Sequence, residues 1–258
     1  MLTNDDGIFA PGLIALIRAF RRVADFQLWV VAPDQERSGT GHAITVHHPL
    51  MVEEVDLEYG ERGWAVSGTP ADCVKLAVEA IMAQRPHLVV SGVNLGPNVG
   101  ADIFYSGTVS AAIEGALMGL PAIAVSLAAR GEARYDLAAR FAVRLTELVL
   151  ERGMPPGTLL NVNVPSLDPH QIAGVRVTRM EARQYRNEFD RRVDPRGRVY
   201  YWMSGEVVPP EGDGEVDSTA LRDNMISVTP LQVDLTARQL LKELCGWRLE
   251  SCLEQESS

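Results

Sequence analysis

Four strand-sized runs, Phe26–Ala32, His87–Ser91, Ala122–Leu127 and Leu159–Val164, are apolar on neighbouring positions rather than on alternate ones. A strand that reads this way is covered on both faces. The stretches between them carry helical spacing instead. Pro11–Val23 places Leu13, Leu16, Ile17 and Phe20 on one stripe, with Pro11 suited to a first turn. Thr69 caps a helix running to about Met82, with Pro70 first and Asp72 third. Ser110–Met118 is an alanine-rich helix, and Ala133–Arg152 is a long one. Met1-Leu2-Thr3 reads as a strand stub, and Gly63–Ser67 adds another short strand. Strands alternating with helices predict a parallel sheet with helices on both faces. Residues 1–165 are therefore expected to form an α/β, doubly wound, Rossmann-like core with a mostly parallel sheet.

The pattern changes after Pro165. Val175–Thr178, Val199–Met203 and Ile226–Thr229 are strand-like but separated by charged, glycine- and proline-rich turns. Such a β-rich excursion is too thin to bury its own core, so residues 166–249 predict a protruding hairpin or oligomerisation arm with a closing helix, Thr236–Leu249. Residues 250–258 are polar and predict a flexible tail.

The net charge of −10 repels polyanions at long range, which argues against binding to a nucleic-acid polymer. A small phosphate ester is not excluded, because a metal ion or a helix N-terminus supplies positive charge locally. The three cysteines, Cys73, Cys245 and Cys252, have no CxxC spacing, so neither a disulfide framework nor a thiolate zinc site is expected. Reduced thiols favour the cytoplasm. Polar Thr3-Asn4-Asp5-Asp6 argues against a signal peptide, and no apolar run reaches membrane-spanning length.

In open parallel sheets, ligands bind beyond the carboxyl ends of the strands. Asn4-Asp5-Asp6-Gly7 follows the first strand, Pro33–His42 the second, and Gly92–Asn98 and Tyr105–Thr108 the His87 strand. Adjacent carboxylates at Asp5 and Asp6 repel each other and need a cation or strong donors to stay ionised. Ser38 and Asn94 add oxygen donors from neighbouring loops. An all-oxygen set suits Mg²⁺ or Mn²⁺ and disfavours zinc. The plainer alternative is an Asx turn that caps the next helix. Ser106-Gly107-Thr108 stands before a helix, where exposed amides, two hydroxyls and a glycine make a phosphate cradle, or an ordinary cap. Asn98 either orients substrate or satisfies a turn.

Other features carry less. Gly39-Thr40-Gly41 lacks the third glycine of a dinucleotide fingerprint. His47 and His48 are expected in a strand-like stretch with their rings on opposite faces, which defeats chelation. His42 is either a contact to a phosphate or leaving group, or a plain loop histidine. Asp72 and Cys73 read as a helix cap and a buried small residue, the Tyr200-Tyr201-Trp202 cluster as strand packing, and Asp194 and Asp217 as turn and loop residues.

These loops, TNDDG at Thr3–Gly7, APG at Ala10–Gly12, VAPD at Val31–Asp34, SGTGHAIT at Ser38–Thr45, GTPADCV at Gly68–Val74, SGVNLGPN at Ser91–Asn98 and YSGTV at Tyr105–Val109, resemble the SurE family. So do Asn161–Pro165, Asp194–Gly197, Tyr201–Trp202 and Ser227–Leu231. Members of that family are survival-protein-E-type acid phosphatases acting as 5′/3′-nucleotidases. The resemblance implies one divalent cation per subunit held by Asp5, Asp6, Ser38 and Asn94. It also implies phosphate contacts from Ser106, Gly107 and Thr108, with Asn98 nearby. It further implies nucleoside monophosphates as substrates, short polyphosphate as another, and a homodimer or homotetramer built through the arm. One departure is the first strand, which begins at Met1-Leu2 where family chains carry two or three more apolar residues before the motif. A shortened central strand is expected to lose ladder hydrogen bonds and loosen Asp5 and Asp6. Asp5 and Asp6 are the expected catalytic pair. Two alternatives remain: Asp5 as a nucleophile forming an aspartyl-phosphate, and a nucleotide-binding regulator without turnover.

Overall fold

The computed structural model describes residues 1–23, 26–129, 131–182, 185–207 and 214–253. Among them the strands are β1 (Leu2–Thr3), β2 (Val30–Pro33), β3 (Val52–Asp56), β4 (Arg62–Val66), β5 (Val89–Leu95), β6 (Ala122–Ala128), β7 (Thr158–Pro165), β8 (Gly174–Val177), β9 (Tyr185–Val193), β10 (Val199–Val207) and β11 (Met225–Gln232). The helices are α1 (Pro11–Arg21), α2 (Pro70–Leu76), α3 (Gly107–Leu117), α4 (Tyr135–Arg152), α5 (Asp217–Arg222) and α6 (Arg238–Leu244). The main sheet has nine strands in the order β3-β4-β2-β1-β5-β6-β7-β11-β8. From β4 to β7 every neighbouring pair is parallel. The chain therefore winds outward from β1 to β2 and β4, then returns to β5 on the other side of β1. That reversal is where a doubly wound sheet opens a crevice.

The consecutive apolar residues split between two layers. Leu2, Val30, Ala32, Val90, Ile123 and Val125 join α1 and α4 in one cluster. Met1, Val31, Val66, Val89, Ala122 and Ala124 join α2 and α3 in the other. In α1, Leu13, Leu16 and Ile17 are fully buried, worth about 1.5–3 kcal/mol each relative to exposure. In α2, Thr69 Oγ1 accepts the Asp72 N–H at 3.1 Å while Asp72 Oδ2 accepts the Thr69 N–H at 2.9 Å. This is the expected cap, and Asp72 Oδ1 also accepts the Thr45 N–H at 2.9 Å. The helix gives way to a π-helical turn, Ala77–Ile81, within the predicted span.

The short β1 is nonetheless paired on both sides, Leu2 with Val30 and Val90, and Thr3 with Ser91. The residues after Pro165 divide in two. β11 lies antiparallel against β7, and β8 lies parallel against β11, so both return to the main sheet. Only β9 and β10 form a separate two-stranded antiparallel hairpin, with Met203 opposite Phe189 and Val199 opposite Val193. The closing helix is shorter than expected, Arg238–Leu244, followed by a 3₁₀ turn at Leu249–Leu253. Most of the expected flexible tail, residues 254–258, lies outside the described residues. Among the described residues no helix is long and apolar enough to cross a membrane.

Candidate active site

The turn after β1 carries both acidic residues. Asn4 Nδ2 donates to the Gly7 carbonyl at 2.9 Å and closes it, and Gly7 stands at φ 106°, where a side chain would be strained. Asp5 is buried, and both the hydroxyl and the backbone N–H of Thr108 donate to its carboxylate. Asp6 is more open, and its Oδ2 accepts the Leu95 N–H at 3.4 Å. Burial raises both carboxyls. Asp6 is pushed up to about 6, first by burial and then by the charge of Asp5. Glu36 adds further negative charge to both. Among the described residues neither group forms an ion pair.

The neighbouring loops are fastened to this turn by backbone bonds. The Arg37 N–H donates to the Asp5 carbonyl at 2.7 Å, and the Ile8 N–H to the Pro33 carbonyl at 2.8 Å. Ser38 follows Arg37, is exposed, and donates its hydroxyl to Glu36 Oε1 at 2.9 Å. On the other side, the β5–β6 register shifts between Ser91 and Asn94. The irregularity needs Gly92, because a Cβ there would lie 2.2 Å from the Val125 carbonyl oxygen. Asn94 Nδ2 donates to the Gly96 carbonyl at 2.8 Å, which leaves its side-chain oxygen as the group available for other work.

The donor chemistry fits a hard divalent cation. Two adjacent carboxylates share a partly buried place and form no ion pair among the described residues, and hydroxyl and amide oxygens stand on the flanking loops. Among the described residues no three His, Cys, Asp or Glu side chains converge as a metal cluster. A hard cation at Asp5 and Asp6 would complete its shell with neutral oxygens, such as those of Ser38 and Asn94, or with water.

Ser106 caps α3, its Oγ accepting the Val109 N–H at 3.1 Å, so its own hydroxyl hydrogen remains to donate. Thr108 differs from a simple phosphate donor, since its hydroxyl and amide both go to Asp5. Between them, Gly107 packs directly on Asp5. Asn98 is buried and held on every side. Its N–H donates to Asn163 Oδ1 at 2.8 Å, and its carbonyl accepts Asn161 Nδ2 at 2.8 Å and Asn163 Nδ2 at 3.0 Å. Its own Nδ2 donates to Ser126 Oγ at 2.8 Å. The structure thus brings Asp5, Asp6, Gly107, Thr108 and the Asn94 loop together, and fixes Ser38 one residue from a bond to Asp5.

Some site residues were not legible as such. Glu36 lies two positions before Ser38 and acts electrostatically on both aspartates. Tyr135, at the start of α4, has its phenol pushed up by burial and then by Asp6, though nothing in its sequence context links it to that residue. Asp217, expected as a loop residue, is fully buried at the first turn of α5. His42 is not a plain loop histidine: its Nε2 lies 3.0 Å from Glu114 Oε2, a bond that holds the Glu114 carboxyl below its usual range. His47 and His48 lie in an irregular bend rather than a strand, because β3 begins only at Val52. Asp194 is a turn residue as expected, accepting the N–H groups of Arg196 and Arg198 at 2.9 Å each.

Comparison with known proteins places the chain in a family. Residues 1–187 match the family model described as Survival protein SurE. The chain is 53% identical over 248 residues to the 5′-nucleotidase SurE of Heliobacterium modesticaldum, spanning 96% of this chain and 90% of the relative. It is 51% identical over 254 residues to the 5′-nucleotidase SurE of Desulforudis audaxviator, spanning 97% of each. The crystal structure of the Sure protein from Aquifex aeolicus superposes with a TM-score of 0.82 at 39% identity, covering 94% of this chain and 96% of that one.

Proposed function

From a chain that belongs to the SurE family, we propose a 5′-nucleotidase that hydrolyses the phosphate ester of nucleoside monophosphates. The observation that carries this reading is the Asp5–Asp6 pair, partly buried, in no ion pair among the described residues, and joined by three loops at the opening edge of the sheet. Asp5, Asp6, Ser38 and Asn94 would hold one divalent cation, Mg²⁺ or Mn²⁺. When bound, such an ion supplies charge neutralisation and Lewis acidity at the phosphoryl group.

The chain's own residues divide the remaining work. Thr108 fixes Asp5 through two bonds, so that carboxylate is a rigid element. Asp6, held by one long bond, is the carboxylate with freedom to accept a proton from attacking water. The Ser106 hydroxyl hydrogen and the Gly107 amide at the start of α3 face charge on the transferring group. Asn98 supports substrate from a backbone that three bonds hold still. Burial and the Thr108 bonds leave Asp5 poorly suited to in-line attack, which disfavours an aspartyl-phosphate route.

The β9–β10 hairpin exposes Phe189, Val193, Val199, Tyr201 and Met203, which supports its reading as the arm of a homodimer or homotetramer. Three free cysteines support a reducing compartment such as the cytoplasm. Phosphate release from AMP, with Mn²⁺, with Mg²⁺ and with chelator, tests the activity. Release in the presence of either ion and its loss on chelation is the expected result. Tight AMP binding with no phosphate release would mean a regulator instead.

A further inference from the structure

Asp217 sits far along the chain from every residue assigned to the site, yet its carboxylate is bonded into the loop that carries Asn98. It is fully buried. Its Oδ2 accepts the Gly100 N–H at 2.8 Å, and its Oδ1 accepts the Glu181 N–H at 3.1 Å and the Ser218 N–H at 2.9 Å. Its own N–H donates to the Arg179 carbonyl at 3.1 Å. One side chain therefore ties together three segments: the loop after β5, the chain leading to the hairpin, and the start of α5. Burial pushes its carboxyl up, and the three N–H groups are what offset that cost.

The chemistry explains why an aspartate stands here. Three backbone N–H groups converge from different directions, and a carboxylate offers two oxygens to accept them. Gly100 has φ 53°, and a 3₁₀ segment, Gly100–Phe104, runs from it toward Ser106. Asn161 and Asn163 hold the peptide groups of residue 98, and Asp217 holds that of residue 100. Asp217 thus adds a buried side-chain anchor two residues beyond Asn98, on the far side of the bonds from Asn161 and Asn163.

We propose that Asp217 is a positioning residue for substrate binding, holding the Asn98–Gly100 backbone so that Asn98 meets the nucleotide. This rests on the reading that Asn98 touches substrate. The test is a double-mutant cycle on the full chain, measuring kcat and KM for AMP at saturating Mn²⁺ in Asp217→Asn, Asn98→Ala and the double variant, with folding checked by circular dichroism. Asparagine keeps the size but offers one acceptor oxygen, so at least one N–H is orphaned. KM is expected to rise roughly 10-fold in each single variant with kcat little changed, on the scale of one lost buried hydrogen bond. In the double variant KM should stay within roughly 3-fold of Asn98→Ala, because the two residues act on one contact.

Effects that multiply, or an unchanged KM in folded Asp217→Asn, would overturn the proposal. An unchanged KM in Asn98→Ala would instead remove Asn98 from the substrate site. A raised KM in Asp217→Asn would then mean that Asp217 acts elsewhere, which also overturns the stated route. Should Asp217→Asn not fold, Asp217→Ser, which keeps an acceptor oxygen, replaces it in the same cycle. If neither folds, Asp217 serves the fold and not the site.

Discussion

Gly107 leaves no room between α3 and Asp5: a Cβ on it would stand 2.7 Å from the Asp5 Cβ and 3.0 Å from Asp5 Oδ2. A methyl group there must push the acid off the helix start. Gly107→Ala is therefore expected to cut kcat/KM for AMP by roughly 100-fold, the scale of a small misplacement at a reacting centre. The same crowding, which also meets Pro70 Cγ, should lower stability by about 1–3 kcal/mol, the scale of overpacking a buried site. Activity close to wild type would show that the position of Asp5 does not limit the reaction.

Asp6→Asn removes the more open of the two carboxylates without changing its size. Turnover should drop by at least roughly 100-fold, as when one preorganised electrostatic group is lost. In chelator the variant should melt no lower than wild type, since a poorly solvated charge has gone. Phosphate release that stays near wild type with Mn²⁺ would remove Asp6 from the chemistry.

The raised carboxyl of Asp6 also gives the metal-free protein a pH dependence. Its folded value of about 6 lies above the ordinary 3.8, so between those values the folded chain holds a proton that the unfolded chain has lost. Stability then falls as pH rises through that window and levels off above about 6. Melting curves in chelator across this range should show the fall, and Asp6→Asn should flatten it. A divalent cation should restore stability at pH 7 and above, where the Asp6 carboxyl is ionised.

Thr108→Val keeps the shape of the side chain but withdraws the hydroxyl from buried Asp5. A buried acceptor losing its donor costs about 1–3 kcal/mol, measurable by urea unfolding. Thr108→Ser retains the donor and should recover most of both stability and activity. Equal behaviour of the two variants would mean that the bond contributes nothing.

Much of the layout was readable because burial on two faces leaves a local signature. The uniform apolar runs in β2, β5, β6 and β7, and the stripe of Leu13, Leu16, Ile17 and Phe20, placed the sheet and its helices to within a few residues. Thr69-Pro70-Ala71-Asp72 marked a helix start because a capping box is made within four residues. The later strands were harder to place. β8 and β11 look like parts of a polar excursion, yet they extend the main sheet, since pairing partners such as Thr229 and Asn161 are remote in the chain.

The same distinction separates the parts of the site. Adjacent acids at Asp5-Asp6, oxygen donors at Ser38 and Asn94, and a hydroxyl-bearing helix start at Ser106–Thr108 are properties of short segments, and they can be read from the sequence alone. That Thr108 gives both its donors to Asp5, that Asn98 is locked by Asn161 and Asn163, and that Asp217 reaches the Gly100 amide are bonds between distant segments. Only the folded chain decides these, because a side chain's partner depends on which strands become neighbours, and that is settled by packing over the whole sheet rather than by local spacing.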